Sequence, residues 1–285
     1  MAPLDILFPD QIVASRQGKA IGHTLIYEHE VSSTNEVAHS LARQGNPEGI
    51  VVIAERQTRG RGRLGRSWFS TPGKSLTLSV LLRPPIPPTR APQLTLVTAV
   101  AIAAGLRSET GLPVQVKWPN DLRIGGRKTG GILTEMAATG RTIDHVVIGI
   151  GLNVNPDPAG FPEEIRHMAV SLAEAAGAPM PRQRILDAVI DSLDHSYARY
   201  LSDGFEPVRE IWESLSDMIG QEVTVREHER VVSGRARGID DEGFLLVEAS
   251  DGTISRVVSG DISLAGEESS SEAGTGASSS GQTGS

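Results

Sequence analysis

Apolar and polar positions alternate along residues 24–31, TLIYEHEV, as they do in a half-buried strand, and SSTNEVAHSLARQG then shifts to helical spacing. Ser33 with Glu36 predicts a capping box at the start of that helix, and Gly45 predicts its end. The runs GIVVIAER (49–56) and SLTLSVLL (75–82) are apolar and β-branched, the texture of buried strands. After PPIPP, the stretch APQLTLVTAVAIAAGLRSETG has the length, alanine content and terminal glycine of a core helix.

The segments VQVKW, DLRI, KTGGILTEM and HVVIGIGLNVN, separated by PND, GG and Thr139–Gly140 turns, predict neighbouring hairpin-like strands. Helical spacing returns from about 181 to 216. From 218 the chain breaks into EVTVRE, VVSGRARGI, GFLLVEA, TISRVV and DISL, short alternating segments that predict a small β-barrel. The expected organisation is a mixed α/β domain of α+β type at 1–217 and a barrel at 218–265. A tail at 266–285 has no large apolar residue to offset the entropy of folding, and disorder is expected there.

A length of 285 residues with 39% hydrophobic content suits one large and one small domain. The net charge of -8 argues against a diffuse basic surface, so any anion recognition must be local. Absence of cysteine excludes disulfides, a thiolate nucleophile and cysteine-based metal sites. The start, MAPLDILFPDQIV, lacks a basic segment and is interrupted by Pro9 and Asp10, and no apolar run approaches the ~20 residues of a membrane span. A cytoplasmic protein without a membrane segment is expected.

Gln57 to Trp68, QTRGRGRLGRSW, spaces Gly60, Gly62 and Gly65 as G-x-G-x-x-G. A dinucleotide fingerprint would continue into a helix and place an acid about twenty residues on; this stretch leads into a strand, and no acid follows near 80–90. What remains is a loop carrying Arg59, Arg61, Arg63 and Arg66, readable as a solvated surface or as an anion site for a metabolite or a nucleic acid. Nucleic acid is the weaker choice, because Trp68 is the loop's sole aromatic and the remainder is acidic.

KWPND (117–121) reads as turn chemistry: Pro119 restricts Trp118 to extended backbone, and Asn120 and Asp121 follow. GGRKTGG sets Lys128 between glycine pairs, where a lysine can reach into a cleft or stay on the surface. Of Ser33, Thr34 and Asn35, a helix cap uses one side chain and leaves two polar groups at a strand-to-helix junction. Asn153 and Asn155 close GIGLNVN. The histidines form no H-E-x-x-H and no serine lies in G-x-S-x-G, so hydrolytic and metal-centred catalysis lack parts.

In order, SSTN, ERQTRGRGRLGRSW, KWPND, RKTGGILTE and GIGLNVN, followed by a small barrel, resemble the biotin protein ligases over about 24–265. The resemblance implies a catalytic domain related to class II aminoacyl-tRNA synthetases and lipoate ligases, with a mixed sheet and an SH3-like C-terminal barrel. It implies formation of biotinyl-5′-AMP from biotin and Mg-ATP, then transfer of biotin to a lysine of the biotin carboxyl carrier domain of an acyl-CoA carboxylase. Ser33, Thr34, Asn35 and Gln57 then match the biotin-ring segment; Arg61, Gly62 and Arg63, with Gly60 before them, match the ligand-covering loop. Lys128 matches the catalytic lysine, with Arg63 as its partner in charge, and Lys117, Asn120, Trp68, Arg66 and Asn153 match positions around ATP.

Two departures stand out: Arg59 where many members carry alanine, and Thr129–Gly130 in place of an aliphatic–alanine pair. About 23 residues precede the first strand, too few for the DNA-binding domain of bifunctional members, so repressor activity is not expected. A lipoate-type ligase and a nucleic-acid adaptor are the alternatives. A ligase of this type must keep its mixed anhydride from water, which predicts that loop 57–67 is mobile without ligand and orders over biotin.

Overall fold

A computed structural model of the chain describes residues 5–16, 18–227 and 230–264. The expected tail lies outside the described residues. The chain divides into two compact units: one comprises the described residues through Asp217 with Ile239–Phe244, the other Met218–Gly238 and the described residues from Leu245.

In chain order the first unit contains α1 (Pro9–Ala14), β1 (Thr24–Val31), α2 (Thr34–Arg43), β2 (Ile50–Gln57), β3 (Leu76–Leu82), α3 (Ala91–Thr110), β4 (Gln115–Lys117), β5 (Asp121–Ile124), β6 (Arg127–Thr139) and β7 (Thr142–Leu152). There follow α4 (Glu163–Arg166), α5 (Leu172–Ala176), α6 (Arg182–Asp203) and α7 (Glu206–Leu215). The sheet order is β1-β2-β3-β7-β6-β5-β4. β1 and β2 are parallel, joined through α2, and the other neighbours are antiparallel, which makes the sheet mixed. The helix α1 and the short helices α4 and α5 have no counterpart in the sequence reading, being too short for a helical period to register.

Every position of β3 is buried, as its unbroken apolar run predicts for a central strand. On one face α2 sets Ala38 and Ala42 against Ile50, Val52, Leu81 and Val147. The opposite face meets α3, whose Thr95 hydroxyl donates to Thr134 of β6 at 2.9 Å. α3 and α6 approach closely at Gly105, where a Cβ would lie 2.6 Å from Ser192 Oγ. Gly111 at φ 70° ends α3 in the left-handed conformation.

The expected capping box at α2 does not form. Ser33 is the N-cap residue but makes no side-chain cap bond. Glu36 instead accepts from Ser32 Oγ and pairs with Arg59 at 3.5 Å, because the neighbouring hydroxyl and the loop arginine reach the carboxylate first. The segment Ile239–Phe244 belongs to the first unit through specific bonds: Trp118 Nε1 donates to the Gly243 carbonyl at 3.0 Å and Gln93 Nε2 to that of Asp241 at 2.6 Å.

The second unit holds β8 (Glu222–Glu227), β9 (Arg230–Ile239, all but its last residue), β10 (Leu245–Glu248), β11 (Ile254–Val257) and β12 (Asp261–Leu264), in the order β11-β10-β9-β8-β12. The pairs β8–β9, β8–β12 and β10–β11 are antiparallel. Alternate residues Val223, Val225, Leu245 and Val247 are buried, which is the period-two pattern of a sheet with one solvated face.

Candidate functional site

Register across the first unit's sheet aligns small and polar residues into rows. Thr77 of β3 pairs with Gly151 of β7, Gly151 with Gly131 of β6, Gly131 with Asp121 of β5, and Asp121 with Lys117 of β4. A second row runs Ser79, Gly149, Leu133. Side chains alternate between faces, so these rows share the face that α2 only partly covers. A Cβ at Gly149 would run into the Asn35 carboxamide, and one at Gly151 into the Trp68 indole. The glycines of GIG thus leave a shallow trough in which Asn35 and Trp68 lie directly on the sheet.

One end of the trough is neutral and buried. Ser33, Thr34 and Asn35 at the start of α2 are each about 3% exposed. Thr34 N–H donates to Gln57 Oε1 at 2.8 Å. A backbone N–H can only donate, so this bond fixes the Gln57 amide and leaves Nε2 as a donor. Ser79 Oγ, fully buried, lies 2.6 Å from Asn35 Oδ1 and 2.7 Å from Thr34 Oγ1. Asn35 Nδ2 donates to Glu135 Oε2 at 2.6 Å. His39 beside Glu135 holds its carboxyl below the usual range against the opposing effect of burial, with Asn35 and Arg61 assisting.

The arginine-glycine loop is an excursion between β2 and β3 closed at its base by Trp68 N–H donating to the Gly60 carbonyl at 3.0 Å. Above it, Gly62 N–H donates to the Arg66 carbonyl at 2.7 Å, and Arg61 and Ser67 form an isolated bridge. A Cβ at Gly60 would lie 2.7 Å from the Trp68 carbonyl, which explains why glycine stands there. The tip is Leu64, at φ 55° and 62% exposed, a left-handed conformation that costs a non-glycine residue about 1 kcal/mol. Arg59 turns out to Glu36, Arg61 reaches Glu135 at 3.3 Å, and Arg63 Nη1 reaches Asn120 Oδ1 at 3.4 Å.

The other end is charged. The KWPND segment turns through a cis Trp118–Pro119 peptide, where the sequence predicts an extended Trp118 in a plain turn. Asn120 Nδ2 donates to the Ile132 carbonyl at 2.8 Å, so its Oδ1 faces Arg63. Lys128 Nζ forms an ion pair with Asp121 at 2.6 Å and lies 6.0 Å from the Trp68 ring centroid. Arg63 and Lys128 therefore engage consecutive residues of one turn. Trp68 Nε1 is a buried donor without an acceptor among the described residues. Such groups are rare in folded proteins and call for a partner.

Lys117 stands in register with Asp121, half-buried; Arg66 is exposed on the loop. Asn153 is buried at the end of β7, its backbone N–H donating to the Thr129 carbonyl at 2.8 Å. Asn155, two residues on in GLNVN, is instead consumed by the Met180 backbone and Asp5. Sequence reasoning overlooked Ser79, Asp121, Glu135 and the pair His39–His145, whose ring nitrogens are 2.8 Å apart. The signal for Ser79 was present: Thr77 and Ser79 alternate as polar residues inside an otherwise apolar strand. Glu135 closes the RKTGGILTE motif, but neither its local spacing nor that of His145 points to α2, because only register brings the two to that helix.

Residues 28–153 match the biotin/lipoate A/B protein ligase family and residues 218–265 the biotin protein ligase C-terminal domain. The bifunctional ligase/repressor BirA of Bacillus subtilis is 43% identical over 86% of this chain and 75% of its own length. A biotin--[acetyl-CoA-carboxylase] ligase of Paracoccus denitrificans is 32% identical over 77% of this chain and 92% of its own. Among solved structures, the biotin protein ligase of Aquifex aeolicus in complex with biotin and ATP superposes with a TM-score of 0.73 at 32% identity, covering 85% of this chain and 98% of that one.

Proposed function

The chain belongs to the biotin/lipoate A/B protein ligase family, and from that premise we propose that it is a biotin protein ligase. It joins biotin to ATP as biotinyl-5′-AMP and transfers the biotinyl group to a lysine of a biotin carboxyl carrier domain of an acyl-CoA carboxylase. The observation that carries this reading is the polarity of the trough: a buried neutral cluster at one end, and Arg63 and Lys128 meeting Asn120 and Asp121 at the other. A neutral polar ring bearing a carboxylate fits that division. The ring is read by fixed amides and hydroxyls; the carboxylate and the nucleotide meet the cations.

In the first step a biotin carboxylate oxygen attacks the α-phosphate, the bond to the β-phosphate oxygen breaks, and pyrophosphate leaves. Two anions at about 4 Å repel by about 4 kcal/mol at an effective dielectric near 20. Arg63 and Lys128 oppose that repulsion, and most strongly as charge develops between them. Lys128 must exchange Asp121 for phosphate, while Gln57 Nε2, oriented by Thr34, offers its donor to the ring. Ser33, Thr34 and Asn35 bound the ring end. Lys117, Asn120, Arg66, Asn153 and the Trp68 indole N–H surround the nucleotide.

The loop from Gly60 through Arg61, Gly62 and Arg63 shields the anhydride from water. In the second step the acceptor amine attacks the acyl carbon and AMP leaves. Magnesium would be supplied with ATP, held through the phosphates and water and at most one or two protein carboxylates. No helix among the described residues is long and apolar enough to cross a membrane. A cytoplasmic location is part of the same proposal.

Biotin-dependent exchange of pyrophosphate into ATP, with lipoate in place of biotin as control, tests the proposal. Exchange with biotin alone is expected; exchange driven by lipoate, or by neither acid, overturns it.

A further inference from the structure

Glu135 is bonded both to the neutral end of the trough and to the arginine-glycine loop. Its Oε2 accepts from Asn35 Nδ2 at 2.6 Å and pairs with Arg61 Nη2 at 3.3 Å. His39 Nε2 approaches the same oxygen at 3.6 Å, and His39 Nδ1 is 2.8 Å from His145 Nε2. The contacts come from three separate parts of the chain: Asn35 and His39 one turn apart on α2, Arg61 on the loop, and His145 on β7.

Because a carboxylate only accepts, Glu135 forces Nδ2 of Asn35 toward itself and Oδ1 toward Ser79. One group therefore contributes both to the amide orientation at the neutral end, where the Leu133 carbonyl also accepts from Asn35 Nδ2 at 3.4 Å, and to the anchoring of the loop. We propose that Glu135 is a positioning residue: it latches Arg61, and with it the loop, to the same side chain that shapes the vitamin's ring pocket. The inference rests on the reading of the trough as a biotin site, and it adds a coupling that the catalytic assignments do not contain. Glu135 touches no reacting atom; its effect passes through Asn35 and Arg61.

The geometry also separates the two arms. In Glu135→Gln the side-chain carbonyl still accepts from Asn35, whereas the charge that holds Arg61 is gone. Glu135→Ala removes both. The Arg61 pair is partly exposed, with 43% of the arginine and 28% of the glutamate side chain accessible, so the loop arm alone is worth little more than a surface ion pair.

Biotin dissociation rates, ATP KM and trypsin nicking at the loop arginines are measured for wild type, E135Q, E135A, R61Q and the E135Q/R61Q double variant, with thermal midpoints as a folding control. E135Q is expected to release biotin about fivefold faster with ATP KM unchanged, a size typical of one partly exposed pair. Trypsin should nick its loop faster than that of wild type, and the double variant should release biotin no faster than either single change. E135A should exceed E135Q, since it also loosens Asn35. Wild-type release and nicking by E135Q, or additive effects in the double variant, overturn the latch. Trypsin requires no ligand, so the latch is tested even if wild type fails the exchange assay, a failure that would count against the biotin reading alone.

Discussion

The two ends of the trough solve opposite electrostatic problems with opposite materials. The end built from Ser33, Thr34, Asn35, Gln57 and Ser79 is buried or half-buried and carries no formal charge, and its amides are oriented by partners that admit one arrangement. The end built from Arg63, Asn120, Asp121 and Lys128 is half-exposed and ionic, and each cation rests on a partner that an incoming anion can displace. Buried neutral bonds give discrimination, because an unmatched polar group there costs about 1–3 kcal/mol. Half-exposed ionic and polar contacts are cheap to exchange, which suits groups proposed to move onto phosphate.

The sharpest way to break this division is Lys128→Ala. Adenylation in single turnover should slow by about 10²–10³-fold, the scale of losing one electrostatic stabiliser, with biotin affinity nearly unchanged. A comparable loss of biotin affinity would merge the two ends into one.

Next in size, Gly151→Val puts a side chain where the Trp68 indole lies. Biotin and ATP should both weaken, by about tenfold or more, because overpacking of this kind commonly costs about 1–3 kcal/mol. Titration of each ligand separately checks it; loss of ATP alone would confine Trp68 to the charged end.

Gln57→Leu strands Thr34 N–H and removes the Nε2 donor proposed to meet the ring. KM for biotin should rise about tenfold at unchanged kcat, and an altered kcat instead would show that this end takes part in chemistry.

The smallest effect concerns stability. Burial, then His39, pushes His145 below its ordinary 6.5, with Arg83 and Arg43 acting the same way and Asp144 opposing them. Below that value the unfolded chain binds a proton that the folded chain resists, so stability falls as pH drops from about 6.5 toward the lowered folded value. Thermal midpoints across that window should decline for wild type and flatten in His145→Gln; a parallel decline would place the titrating group elsewhere.

The loop reading is sharpened by proteolysis. A hydrogen-bonded hairpin base, Gly60 to Trp68, leaves residues 61–67 as the segment that biotin plus ATP should protect from trypsin. Equal cleavage with and without ligands would remove its role as a cover.

Much of the fold was legible because its signals are local. The apolar runs of β2 and β3, the alanine-rich α3 closed by Gly111, and the short alternating segments after 218 each carry their period within a dozen or two residues. The capping box failed for the same reason it was attractive: it considered Ser33 and Glu36 alone, and Ser32 and Arg59 compete for the glutamate.

Of the site, the chain alone determined which chemistry was on offer: arginines among glycines, a lysine between glycine pairs, a polar junction at a helix start, and no cysteine thiol. Tertiary structure decided which of these meet. Register across four strands aligned Thr77, Gly151, Gly131 and Asp121 into a floor, and brought Glu135 to Asn35 and Arg61 across separations of 100 and 74 residues. Periodicity reports which face a residue occupies, whereas a partner on another strand is fixed only when the whole sheet pairs in a single register.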